Sequence, residues 1–390
     1  MATPAYALDA RRDWAGTVSQ SVPWFLYAVL FASTSVIVGV TWDISWHRTI
    51  GRDTFWTPAH LGIYTGGIVA GLTCGWLALR LTFARGASAQ AERAATVRFW
   101  GFQAPLGAWV CIWGAFAMLT SAPFDDWWHN SYGLDVKILS PPHALLAAGI
   151  GAIQCGAMLM AVAWQNRSEA LRSRVGHLYL ASAGLLVVLF ATLATEYIQR
   201  WDMHRSLFYM VTAGVFPLML VSTARASVSR WPATITSLVY MGFMFTMLLV
   251  LPLFRGEPLL GPIFVHVTHF VPPDFPLLLV APALAIDLAM QRIGRGHDWR
   301  LAAILAIAFV GAFLAVQWPF ADFLMTPWAR NPVFVSGTMD YGVNPVMQAR
   351  WFTLNPPDNL ARGLSIAVVL AFVSARCGLW WGNWMSRVQR

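Results

Sequence analysis

Charge is what this chain has least of. Only 11% of its 390 residues are Asp, Glu, Lys or Arg, against about 25% in soluble domains, which excludes a water-facing surface over most of its length. Cysteine is scarce too: the four residues Cys74, Cys111, Cys155 and Cys377 all fall in apolar stretches with no C-x-x-C spacing. That pattern excludes a disulfide framework and a thiolate metal site, and leaves each cysteine as a small packing residue. Basic runs with interleaved aromatics are missing, so the net charge of +8 is no sign of nucleic acid binding. No low-complexity tract, long flexible linker, haem motif or flavin motif occurs. The stretch MATPAYALDARRDWAG is polar, and the apolar run behind it lasts a full span without an A-x-A cleavage site, so a removable signal peptide is not expected.

What the chain has is apolar length. Hydrophobic residues make up 57% of it and its mean hydropathy is +0.56. Runs of the roughly 20 residues that cross a bilayer are expected at 23–42, 58–79, 99–120, 142–164, 177–195, 207–223, 233–254, 275–291, 301–318 and 362–383. The reading is an all-α, polytopic transmembrane helix bundle of about ten spans. Cytoplasmic connections retain Lys and Arg, and alternate connections hold sixteen of them on one side and nine on the other. Both termini are therefore expected in the cytoplasm. Seven of the nine histidines then lie at or near the outer face.

Two halves are legible. Residues 1–165 hold four spans, and residues 166–390 hold six, a Pro-rich outer segment and a long outer loop at 319–361; the polar stretch WQNRSEALRSRVGH separates them. Each outer loop of the first half carries the same pattern: an aspartate, a histidine four residues on, and a second histidine thirteen or fourteen residues further. Asp43, His47 and His60 form one set, and Asp125, His129 and His143 the other. The i, i+4 spacing puts Asp and the first His on one helical face. The second His opens the next span, in the second set just after Pro141 and Pro142, where a proline suits a helix start. A carboxylate with two imidazoles is a ligand set for a transition metal whose other positions stay open. A single histidine among interfacial tryptophans such as Trp42, Trp46, Trp56, Trp127 and Trp128 reads more simply as a hydrogen-bonded member of an aromatic belt. The duplication is what favours metal, because ionisable residues near membrane depth are costly and tend to be functional. Asp53 and Asp126 are expected behind the ligands, as carboxylates that accept an imidazole N–H.

The first motif, WDISWHRTIGRDTFWTPAHL, resembles the metal-binding segment of the C subunit of the copper membrane monooxygenases, the particulate methane and ammonia monooxygenase family. Asp43, Trp46, His47, Thr49, Arg52, Asp53, Thr54, Thr57, Pro58 and His60 fit its pattern. The resemblance implies copper at Asp43, His47 and His60. It also implies a neighbouring copper site, at which Asp125 stands where the family has asparagine and His129 and His143 match. The second half resembles the family's A subunit through WDMHRSLFYMVTAGVFPLML, GPIFVHVTHFVPPDFPLLLVAPALAID and MDYGVNPVMQARWF. The chain is thus similar to a fusion of shortened C-like and A-like parts. Only one span precedes the first motif, and no cupredoxin-like domain is present.

What the resemblance implies is a copper-dependent monooxygenase, or a subunit of one, in a bacterial cytoplasmic membrane with its metal sites near the outer face. It would hydroxylate a small apolar substrate such as methane, ammonia or a short alkane with O2. It would draw electrons from a quinol, work with a separate cupredoxin-like subunit and assemble as an oligomer. The alternative is a non-catalytic membrane protein for copper storage, delivery or cuproenzyme assembly. Such proteins prefer soft Met and Cys ligands, and the 15 methionines show no M-x-x-M clustering near the histidines. A transporter would place ionisable residues near span centres, which these spans almost entirely lack. His204, His266, His269, Asp202, Glu196 and Asp274 are expected in structural roles, and Asp287 solvated or paired.

Overall fold

The computed structural model describes residues 21–86, 90, 92–133, 140–195, 197–199, 202–259, 263, 266–334 and 359–390. Among them, nine helices are long and apolar enough to cross a membrane. They are α1 (Trp24–Thr49), α2 (Pro58–Phe83), α3 (Leu106–Tyr132), α4 (Pro141–Arg167), α5 (Arg172–Ala194), α6 (Ser206–Ala226), α7 (Pro232–Val250), α9 (Asp298–Leu324) and α10 (Leu360–Met385). The shorter α8 spans Val280–Ile293. Prolines start α2, α4 and α7, where the missing N–H has no intrahelical partner to lose. The chain is an all-α, multi-pass membrane bundle.

The structure corrects the eighth expected span, 275–291. Its helix has only 14 residues, about 21 Å at 1.5 Å per residue, too short to cross alone. Pro272, Pro273 and Pro276 keep the preceding chain extended, since each lacks a donor and disfavours helix in the residue before it. Extended backbone inside a bundle must find partners. Leu277 N donates to the buried Tyr240 hydroxyl at 3.0 Å and Leu278 N to the buried Gln317 Oε1 at 3.1 Å. The extended stretch and α8 together return the chain to the start of α7, where Asp287 accepts from Ala233 N and Thr234 N. Asp287 is thus a buried cap, not a solvated charge.

Two further boundaries move. The third span begins later than expected because residues 97–104 form a hairpin, β1 (Val97–Phe99) with β2 (Phe102–Ala104). Its turn has positive φ at both Trp100 and Gly101, the two-residue geometry that matches strand twist. Beyond it α3 runs through Pro123 to Tyr132, carrying Asp125 and His129. The loop expected from 319 starts only after α9 ends at Leu324; residues 335–358 of that loop, and Glu196, lie outside the described residues.

Glycines set the helix spacing that the two motifs require. A Cβ on Gly39 of α1 would sit 2.7 Å from Ile63 N and 2.9 Å from Ala59 O of α2. On α3 and α4, a Cβ on Gly114 would meet Gly149 O at 2.7 Å and one on Gly149 would meet Gly114 O at 2.8 Å. Close approach through small residues is how membrane helices gain packing when lipid offers no hydrophobic contrast. Gln154 of α4, fully buried, donates to Ser33 O of α1 at 3.1 Å and joins the two helix pairs. α1 also packs on α5, across the boundary between the two sequence halves.

Candidate metal centres

Both Asp/His sets converge at the same end of the bundle. In the first, α1 delivers Asp43 and His47 from its last two turns, and a turn over residues 50–57 sends the chain back. Gly51 takes φ +80°, Trp46 Nε1 donates to Arg52 O at 2.8 Å, and Thr54 N donates to Thr57 Oγ1 at 2.8 Å. The fold-back sets His60, on the first turn of α2, against the α1 pair. His60 Nε2 lies 3.1 Å from Asp43 Oδ1, and His47 Nε2 lies 3.8 Å from Asp43 Oδ2. Asp53, expected behind the ligands, is instead among them: its Oδ2 stands 3.3 Å from His60 Nε2 and 3.5 Å from His47 Nε2. Hydrogen bonding from His47, more than offsetting burial that acts the other way, brings the Asp53 carboxyl down to about 2.

The second set is built the same way with fewer parts. Asp125 and His129 come from the end of α3 and His143 from the start of α4, whose N-cap Ser140 accepts from His143 N at 3.4 Å. Asp125 Oδ1 lies 3.5 Å from His129 Nε2 and 3.4 Å from His143 Nε2. His129 Nδ1 is 3.0 Å from Gly133 O, a contact that sets the ring with Nε2 turned toward Asp125. Asp126 does not join the cluster: its Oδ2 accepts from Asn130 Nδ2 at 3.3 Å.

These separations fit a shared cation. Donor atoms held at about 2.0–2.1 Å from one ion stand about 3 to 3.4 Å apart, close to the observed distances. Asp43 Oδ1 is buried, and among the described residues no donor is aligned on it although an imidazole nitrogen lies beside it. A metal ion would satisfy such an oxygen. Asp43, Asp53 and His60 bring one donor atom each close enough together to hold one ion, with His47 Nε2 beside them at 3.5 Å from Asp53 Oδ2, and Asp125, His129 and His143 would hold another. Both are nitrogen and oxygen sets, open to copper, iron or zinc.

The remaining outer residues pair elsewhere. His204 Nε2 is 2.8 Å from Asp322 Oδ1, Asp202 meets Arg205 at 2.7 Å, and Asp274 lies 3.6 Å from Arg48. His269 Nδ1 is 3.0 Å from Thr268 Oγ1. Much of this segment braces the first centre: Ser45 Oγ donates to Val271 O at 2.6 Å, Val271 N to Thr49 Oγ1 at 2.8 Å and Leu259 N to Ile50 O at 2.9 Å. Phe270 packs on Trp46. Sequence reasoning missed the place of Asp53 and the His204–Asp322 pair. The first was signalled only by an acidic residue in a short turn, and the second, 118 residues apart, by nothing.

Fold and site together define a multi-pass helical membrane protein with two carboxylate–imidazole clusters at one end. Set against family models, curated proteins and solved structures, the chain gives no match in any of the three comparisons.

Proposed function

We propose that this chain is a copper-dependent membrane monooxygenase, or the membrane subunit of one, acting on a small apolar substrate with O2. The observation that carries the reading is the paired convergence of carboxylate oxygens and imidazole Nε2 atoms, at 3.1 to 3.8 Å in the first cluster and 3.4 to 3.5 Å in the second. The likeness of the first motif to the copper membrane monooxygenases supports copper as the metal. Bound copper would supply the one-electron redox chemistry that O2 reduction needs. The residues do the rest: Asp43 and Asp53 offset the charge of a divalent ion, His129 is oriented through Gly133, and His60 is held by the start of α2. Electrons come from outside the chain, by the same likeness from a quinol, with a separate cupredoxin-like subunit completing the enzyme.

The second reading, copper storage or delivery, is favoured by one feature: the His47 side chain is 46% exposed, suited to receiving or releasing an ion. The two separate in one assay. Copper-loaded membranes carrying the chain and its cupredoxin-like partner, given a quinol and 18O2, are expected to place the label in a short alcohol or in hydroxylamine. Stoichiometric copper with no label, and transfer of that copper to an acceptor protein, would replace the first reading by the second.

A further inference from the structure

The opposite end of the bundle holds a second polar construction that the metal chemistry does not use. A cavity of about 440 Å3 opens there, lined among others by Arg225, Arg295, Asp298, Asn383, Ser386 and Arg387. Arg225 is 6% exposed and is fixed from two directions, by Asn383 Oδ1 at 2.7 Å and Asp298 Oδ1 at 2.7 Å. Asn383 Nδ2 donates in turn to Asp298 Oδ2 at 2.8 Å. This closed triangle ties the ends of α6 and α10 to the start of α9 and makes a rigid wall.

Arg295 and Arg387 face the cavity from exposed positions, and no carboxylate among the described residues pairs with either. Three guanidiniums against one carboxylate leave the cavity two positive charges in excess. It sits at the membrane-proximal rim: the neighbouring Trp299 is 65% exposed and carries Arg376 over its ring at 4.7 Å, an interfacial aromatic with a cationic partner. Guanidinium forks match phosphate oxygens in pairs. We propose that this cavity binds a phosphate group, carried by an anionic lipid headgroup or by free phosphate, with the exposed Arg295 and Arg387 as the clamps and the Arg225–Asp298–Asn383 triangle as the fixed floor.

The test uses the full chain purified in an uncharged detergent. Native mass spectrometry after exposure to equal phosphatidylglycerol and phosphatidylcholine reads lipid retention, and calorimetric titration with inorganic phosphate reads the free ion. The wild type is expected to retain phosphatidylglycerol preferentially, and Arg295→Gln with Arg387→Gln to lower that retention about thirtyfold, about fivefold for each guanidinium at a membrane surface. Phosphate binding without lipid preference, lost in the same variant, would assign the site to the free ion. Arg387 is exposed, so Arg387→Gln alone, expected to lose about fivefold, serves if the pair melts early. Equal retention of both lipids by the wild type, with no phosphate binding, would overturn the proposal, as would a properly folded double variant that binds as the wild type does.

Discussion

In the first candidate metal cluster four side chains meet, two of them carboxylates, on a helix end braced by Val271 from the second half of the chain. The second cluster has three, one of them a carboxylate. Both rest on the same local device, an i, i+4 pair at a helix end facing a histidine at the next helix start, held at distance by glycines. The difference lies in charge. Two carboxylates match a divalent cation; one leaves a net positive charge that must be balanced elsewhere. The histidines that open the second helices differ one way, His60 at 17% exposed against 33% for His143, and those on the first helices the other way, His47 at 46% against 29% for His129. If both clusters hold ions, the second carboxylate makes the first the tighter, while the 46% exposed His47 leaves it a side open to exchange.

The comparison breaks most completely if one centre is removed. His60→Ala should strip about one metal equivalent, because the first set loses its best-enclosed nitrogen, while the second keeps its ion; elemental analysis of the purified variant reads this. Next comes the packing beneath the second centre. Gly149→Leu pushes α3 and α4 apart where a Cβ would already sit 2.8 Å from Gly114 O, and should cost about 1–3 kcal/mol and loosen the second ion without the first, seen as a lower melting temperature and a selective copper loss.

Smaller changes sharpen the contrast. Asp53→Asn should weaken the first centre by about 10–100-fold, whereas Asp126→Asn should leave the second unchanged because Asn130 already occupies it; competitive chelator titration ranks the two. Asp125→Asn should keep the second centre but weaken it by about tenfold, and an unaltered affinity would remove Asp125 from the ligand set.

The smallest effect is on acid stability of chelator-stripped protein. The folded Asp53 carboxyl is lowered to about 2, below its ordinary value of about 4. The stabilisation it contributes is complete above about pH 4 and is lost as pH falls toward 2. Asp53→Asn should flatten that part of the melting-temperature profile relative to wild type.

The helical membrane architecture was readable because apolar runs of span length carry their own signal. Where the reading failed, proline was the cause: Pro272, Pro273 and Pro276 turn an apolar stretch into extended chain whose donors are met by Tyr240 and Gln317, contacts that hydropathy does not report. The two metal sets were readable as spacing, since helix geometry converts i, i+4 into a shared face. Asp53 was readable as a nearby carboxylate but not as a cluster member, because its position depends on the Gly51 turn and on the Trp46 bond to Arg52. The bracing of Ser45 and Thr49 by Val271 links residues more than 220 apart, and no local pattern encodes it. Copper itself rests on the family likeness of the first motif, not on the geometry, which serves iron or zinc as well.

The most direct test is copper stoichiometry with electron paramagnetic resonance on the chain purified in native lipid, for the wild type, His60→Ala and His143→Ala. The account predicts about two coppers per chain with nitrogen hyperfine coupling, and a different single copper lost in each variant, the His60→Ala loss taking the tighter one. No bound transition metal, zinc alone, or the same copper content in all three proteins would contradict it.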